Sequence, residues 1–223
     1  MKYLRLLMLR HGQTVESLNY TFNGWTDVEL APEGRAQLDE AAAALRGLRL
    51  DAVYSSDLKR AVYGGEALAR DRGLKLTVEP RFREVNFGLC EGLRFPEIKT
   101  RWPELAEDIL RPEGGNFLFP EGEGAAVFRK RINDALTELV SRHPGGAVAL
   151  VSHAGVGRAV LADVLHLSNA LMWSLTQDFA CLNVVDFQED GGVRVKLING
   201  FLGPKGYHQE GPGFDRLVRD ARF

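Results

Sequence analysis

Two histidines, two arginines and one glutamate stand where short apolar runs stop. His11 lies in Arg10-His11-Gly12-Gln13-Thr14 and His153 in Ser152-His153-Ala154-Gly155, each directly after such a run. Arg60 closes Ser55-Ser56-Asp57-Leu58-Lys59-Arg60, and Glu84 closes Arg81-Phe82-Arg83-Glu84. A single histidine in such a place is most often a hydrogen-bonded structural residue, but ionisable groups at four successive strand ends are rare by chance. Together they suit a phosphate ester. Guanidinium forks match phosphate oxygens and stay charged at any working pH. Phosphoryl transfer asks mainly for positioning and charge stabilisation. A neutral imidazole supplies a lone pair near neutral pH without a separate base, and a carboxylic acid can protonate the leaving alkoxide. Glu84 must carry its proton before transfer, a form favoured by desolvation or by the charge of a phosphate dianion. The neighbouring Arg81 and Arg83 oppose that unless they point away.

The elements that must position these groups alternate between strands and helices. Residues 3–9 read as a strand and 32–48 as a helix opened by Pro32. Residues 51–54 form a second strand and 60–72 the helix after it, ended by Gly73, with a third strand at 74–78. The stretch 88–124 is rich in Pro, Glu and Gly, with short helical pieces near 95–102 and 104–110, and reads as an insertion covering one face. Alternation returns with a helix over 125–142, a strand over 147–151 and a helix over 156–167. Strands 182–187 and 193–198 frame Glu189-Asp190-Gly191-Gly192 as a hairpin. The implied architecture is α/β, a three-layer sandwich of a mostly parallel sheet with helices on both faces. In such sheets ligands sit beyond the carboxyl ends of the strands, where the five residues fall. The chain reads as one domain over 1–223, with the insertion at about 88–124 and a tail at about 200–223.

Composition narrows the function classes. A chain of 223 residues is one large domain or one domain with an insertion, and it can bury enough surface to need neither disulfide nor structural metal. With 28 Lys and Arg against 30 Asp and Glu, the net charge of −2 provides no basic field for nucleic acid or an anionic membrane, so anion binding must be local. Cys90 and Cys181 lack a CxxC or a second ligand pair and read as two buried thiols. Residues 6–9 are too short for a signal-peptide core, and no apolar run reaches membrane-spanning length. The expected location is the cytosol, and the sequon Asn19-Tyr20-Thr21 is a chance match.

The segment Leu9-Arg10-His11-Gly12-Gln13-Thr14 resembles the signature of the histidine phosphatase superfamily, the phosphoglycerate mutase-like proteins. The resemblance runs from residue 4 to about 187, through Phe22-Asn23-Gly24-Trp25 and the stretches 30–34, 55–60, 84–92 and 151–158, in the order the family has them. It implies that His11 is phosphorylated, that Arg10, Arg60 and His153 surround the phosphoryl group, and that Glu84 donates a proton and later activates water. It implies no metal and no cofactor. Arg10, Ser17, Asn23, Gly24, Arg60 and Ala154 are expected to touch a small phosphorylated substrate. Among macromolecular partners only a homodimer is left open.

The chain departs from its relatives at several places. Ser17 stands where many have asparagine, Thr21 where many have arginine, Cys90 where an aromatic residue is common and Gly124 where serine is common. These positions are expected on the leaving-group side. Glycolytic mutases carry a longer insertion with paired arginines before the second histidine, whereas the interval of 69 positions from Glu84 to His153 contains no Arg-Arg pair. Hydrolysis is therefore expected ahead of mutase chemistry. A binding module that lost catalysis would lack one of the five groups, and a serine hydrolase would need a Gly-x-Ser-x-Gly elbow that the chain does not have. Outside the five, His143 reads as a charge partner for a helix C-terminus, and His166 and His208 as surface or packing residues. Trp25 is placed near the mouth of the site by the resemblance; Trp102 and Trp173 could line a pocket but read as packing, and Glu91 and Glu123 could orient the arginines but read as solvated loop carboxylates.

Overall fold

The computed structural model describes residues 3–110 and 116–201. Its centre is a six-stranded sheet made of β1 (Tyr3–Arg10), β2 (Ala52–Ser55), β3 (Leu76–Val78), β4 (Ala147–Ser152), β5 (Leu182–Gln188) and β6 (Val193–Gly200), in the spatial order β3-β2-β4-β1-β5-β6. The β3-β2, β2-β4 and β4-β1 pairs are parallel, and β5 runs antiparallel to both neighbours. The helices are α1 (Pro32–Ala44), α2 (Lys59–Arg70), α3 (Phe95–Arg101), α4 (Pro103–Leu110), α5 (Ala125–Arg142), α6 (Ala154–Val164) and α7 (Asn169–Met172). None of them is long and apolar enough to cross a membrane.

Alternate side chains of the central strands feed two separate apolar layers, as the period of two requires. Leu4, Leu6 and Met8 of β1, with Val148 and Leu150 of β4, pack against Ile98 of α3, Leu105 of α4, Phe128 and Ile132 of α5 and Val160 of α6. Leu7 and Leu9, with Ala149 and Val151, pack against Leu38 of α1 and Ala61 and Leu68 of α2. Helices on both faces of a mostly parallel sheet are the expected arrangement. Cys90, Phe95, Ile98, Phe117 and Phe119 also enter the first layer, so the stretch after Glu84 is built into the core as well as covering it. Cys90 and Cys181 are buried free thiols.

Several boundaries differ from the sequence expectation. Helix α1 stops at Ala44, beyond which the carbonyls of Leu45 and Leu48 accept from Arg72 on the same face of the sheet, and α2 ends at Arg70, three residues before Gly73, which adopts a φ of +63°. Strand β3 is limited to three residues at the sheet edge. Helix α6 starts at Ala154, two residues earlier than its apolar pattern suggests, which makes His153 its N-cap. The short α7 carries no periodic signal in its four residues; Ser168 caps it. His143 sits at the C-terminus of α5, but its Nε2 shares a hydrogen bond of 2.9 Å with Tyr54 Oη and burial lowers its pKa, so it acts as a neutral hydrogen-bonding group more than as a charge partner. His166 is exposed. His208 and the tail beyond residue 201 lie outside the described residues.

The loop after β1 is fixed by a close backbone approach to the first turn of α1. A Cβ on Gly12 would lie 2.1 Å from Gly34 O, and one on Gly34 would lie 2.0 Å from Gln13 O. Both contacts are with backbone, which cannot swing aside as a side chain could. Gly12→Ala and Gly34→Ala are each expected to cost about 1–3 kcal/mol through overpacking. Urea titration reads this as a lower midpoint at an unchanged m-value, and an unshifted midpoint would refute it.

Candidate active site

Parallel pairing brings the two histidines together. Arg10 of β1 is the register partner of Ser152 of β4, and the next residue of each strand is a histidine. The His11 N–H donates to Ser152 O at 2.9 Å, and the two imidazoles lie 5.2 Å apart between centroids, tilted by 59°. Strand β2 ends beside them, with Ser55 opposite Val151, and leads through Ser56 into the first turn of α2, which carries Arg60. Strand β3 leads through the turn Pro80–Phe82 to Glu84. Four neighbouring parallel strands thus deliver the five residues to one edge of the sheet.

There four of them, Arg10, His11, Arg60 and Glu84, border a cavity of about 110 Å³ whose wall also includes Ala154 and Arg158. His11 is buried, and its Nδ1 lies 2.7 Å from Gly12 O. A carbonyl only accepts, so Nδ1 carries the proton and Nε2 holds the lone pair. Burial, then the Arg60 and Arg10 charges, push the His11 pKa well below its ordinary value. His153 stands behind His11 and does not itself line the cavity. Its Nε2 shares a 2.7 Å hydrogen bond with Ser56 Oγ, and burial, then Arg60 and His11, lower its pKa strongly as well.

Backbone carbonyls orient the arginines. Arg60 Nη1 donates to Thr26 O at 2.8 Å, and Nη2 donates to Asn23 O and Gly24 O. Arg10 Nη1 donates to Gln177 O at 2.6 Å, and its guanidinium lies 3.9 Å from the centroid of Phe179. The Arg10 Nε is buried without a hydrogen-bond partner. Burial lowers both pKa values, that of Arg60 to about 10, so both remain cations near neutral pH. The lining holds three arginines and one carboxylate, a balance suited to a dianion. The carboxylate is held at both oxygens, with Glu84 Oε1 accepting Val85 N–H at 2.9 Å and Oε2 accepting Gly155 N–H at 3.0 Å from the first turn of α6. A Cβ on Gly155 would lie 2.1 Å from Oε1, so glycine is what admits the carboxylate there.

The expected substrate contacts separate into two groups. Ser17, Asn23 and Ala154 line the cavity, with Ser17 Oγ donating to Thr14 O and Asn23 Nδ2 donating to Thr21 Oγ1. Gly24 does not line it: its N–H donates to Glu91 and its carbonyl accepts from Arg60, so it holds a cation in place. Thr21 is in the wall, whereas Cys90 is in the core and Gly124 is the N-cap of α5, away from the leaving-group side where they were expected. Arg81 and Arg83 do point away, Arg81 to Glu79 and Glu138 and Arg83 to Asp57. Trp25 lies beside Glu84, its Nε1 donating to Glu84 O at 3.0 Å. Glu91 accepts from the N–H groups of Gly24, Trp25 and Thr26, and Glu123 forms an ion pair with Arg131, so neither is a solvated loop carboxylate.

The cavity wall also holds Arg158 and Phe179, which sequence reasoning passed over, and Trp173, which it read as packing. Arg158 Nε donates to Leu175 O at 2.8 Å, and its guanidinium lies 5.5 Å from the Trp173 ring. The available signal was a lone arginine in the otherwise apolar helix pattern, four residues after Ala154 and so on the same helical face. Trp173 and Phe179 lie in irregular chain and carry no such mark.

Comparison with known proteins agrees with this geometry. The sequence profile of the histidine phosphatase superfamily (branch 1) matches residues 6–200. A bifunctional protein of Mycobacterium tuberculosis is 32% identical over 201 residues, which cover 89% of this chain and 55% of that protein, so the chain spans about half the length of this relative. Phosphoserine phosphatase 1 of Hydrogenobacter thermophilus is 29% identical over 196 residues, covering 87% of this chain and 92% of that protein. The solved native structure of mycobacterial glucosyl-3-phosphoglycerate phosphatase aligns with a TM-score of 0.81 at 28% identity, over 89% of this chain and 100% of that one. The matched span contains both histidines, both arginines and the glutamate, and the chain belongs to the histidine phosphatase superfamily (branch 1).

Proposed function

We propose that this chain is a cytosolic phosphomonoester hydrolase that acts on a small phosphorylated metabolite through a phosphohistidine at His11. The observation that carries the reading is the tautomer of His11: Nδ1 is tied to Gly12 O, which leaves the Nε2 lone pair in a cavity ringed by arginines. In the first step Nε2 attacks phosphorus while the bond from phosphorus to the ester oxygen breaks. Glu84, as the carboxylic acid, gives its proton to that oxygen, and the alcohol leaves. In the second step the Glu84 carboxylate takes a proton from water as the water oxygen attacks phosphorus, the nitrogen–phosphorus bond breaks, and inorganic phosphate leaves. Arg10 and Arg60 hold the phosphoryl oxygens throughout, where their charge lowers the barrier most. His153, fixed by Ser56, stands beside the His11 ring and supports it without lining the cavity. Ser17, Asn23 and Ala154 are the proposed contacts with the rest of the substrate, joined by Thr21, Arg158 and Trp173. The phosphatase names of the relatives support hydrolysis.

Phosphate release from a panel of phosphomonoesters is expected to vanish in His11→Ala, and an alkaline quench of the wild type during turnover should trap phosphate on His11. Glu84→Ala should spare p-nitrophenyl phosphate far more than alkyl phosphates, because a good leaving group hardly needs the proton. Equal losses on both esters would remove Glu84 from the role of acid. The panel includes 3-phosphoglycerate, and its isomerisation without phosphate release would make the protein a mutase instead.

The depressed proton affinities of His11 and His153 also set a pH dependence of stability. Above the ordinary histidine pKa of about 6.5 both histidines are neutral whether the chain is folded or unfolded, and they contribute no slope. Below it the unfolded chain takes up protons that the folded site refuses, so stability falls as pH falls, by up to about 1.4 kcal/mol per pH unit for each histidine. Urea titrations between pH 6.5 and 5 should show a shallower loss for His11→Gln than for the wild type. Parallel curves would refute a histidine held neutral in the folded protein.

A further inference from the structure

The segment that carries Glu84 is gripped from outside the cavity by one ion pair. Arg131 reaches it from α5, and the Arg131 and Glu123 side chains are only 16% and 11% exposed. A guanidinium has five N–H donors, and here each has an acceptor. Nε donates to Glu123 Oε1 at 2.8 Å; Nη2 donates to Glu123 Oε2 at 2.7 Å and to Glu84 O at 3.1 Å. Nη1 donates to Arg81 O at 2.6 Å and to Arg83 O at 3.0 Å. Glu123 extends the grip past the acid: its Oε2 accepts Asn86 N–H at 2.9 Å, and its own N–H donates to Asn86 O at 2.9 Å. Backbone groups on both sides of Glu84 are therefore tied to one planar fork, while neither Arg131 nor Glu123 lines the cavity.

We propose that Arg131 and Glu123 are positioning residues for proton transfer, setting where the Glu84 carboxyl meets the leaving oxygen without touching the substrate. This rests on the reading of Glu84 as the proton donor. Proton transfer is sensitive to distance, and a displacement of about 1 Å at a catalytic group can cost about 100-fold in rate. Nucleophilic attack depends on a different part of the chain, because His11 is positioned by β1, Gly12 and Ser152. Loosening the fork should therefore harm esters that need the proton and spare those that do not. A lysine at 131 keeps the charge but cannot bridge three carbonyls and a carboxylate in one plane, which separates positioning from a field effect.

The test measures kcat/KM of Arg131→Lys and Glu123→Gln on glycerol 2-phosphate and on p-nitrophenyl phosphate, with Glu84→Ala in parallel and urea titration of every variant. Both variants are expected to lose about 10- to 100-fold on the alkyl ester and less than about threefold on the aryl ester. Arg131→Lys added to Glu84→Ala should cause no further loss on the alkyl ester, since no acid remains to be positioned. Equal losses on the two esters, a further loss in the double variant, or wild-type rates would each overturn the proposal. Should Arg131→Lys not fold, the ester ratio of Glu123→Gln decides. If Glu84→Ala itself shows no preference for the aryl ester, the acid reading fails and the proposal falls with it. A preference in Glu84→Ala that is missing from the other two variants overturns the positioning role alone.

Discussion

The parallel pairing of β1 with β4 is the constraint from which the rest of the site follows. Its register sets Arg10 opposite Ser152, so the residue after each is a histidine at the same height, with His11 tied back to Ser152 O. Side chains alternate in direction along a strand, and a slip of one residue would exchange the two apolar layers as well as separate the rings. The core thus protects the site: Leu6 and Met8 cannot change faces with Leu7 and Leu9 without undoing both layers.

A second regularity concerns how the arginines are held. Arg60 and Arg10 are oriented by backbone carbonyls, at Asn23, Gly24 and Thr26 for the first and at Gln177 for the second. A carbonyl dipole satisfies a guanidinium without cancelling its charge, so the positive potential remains for a phosphate. The two arginines beside Glu84 in the chain, which face away, are instead paired with carboxylates, Arg83 with Asp57 and Arg81 with Glu79 and Glu138. The pKa directions follow the same division. Burial lowers Arg10 and Arg60, while hydrogen bonds to carboxylates raise Arg81 and Arg83. Burial, joined by the same unbalanced positive charge, keeps His11 and His153 neutral.

Helix α6 links these features. It begins at His153, and its second residue, Gly155, donates its N–H to Glu84. The first turn of α6 thereby fixes the Glu84 side chain at the wall of the cavity. The tight fit of Glu84 against Gly155 leaves little tolerance in where its carboxyl can stand, consistent with the number of bonds that fasten the backbone beside it.

The layer architecture and the five ionisable groups are legible in the chain before it folds, because both are written in local order. Apolar runs of strand and helix period identify the elements, and His11, Arg60, Glu84 and His153 each follow closely on the end of a strand in the chain. Tertiary structure alone decided which other residues meet them. Arg158, Trp173 and Phe179 reach the cavity from α6 and from irregular chain, and Gly24 turns out to serve Arg60 because Glu91, 67 residues away, takes its N–H. The start of α6 was equally out of reach, since its placement depends on Glu84 accepting from Gly155 across 71 residues of chain. The tautomer of His11 and the five bonds of Arg131 belong with these. Periodicity records which way a side chain faces, whereas a hydrogen bond depends on distances that only the packed chain establishes.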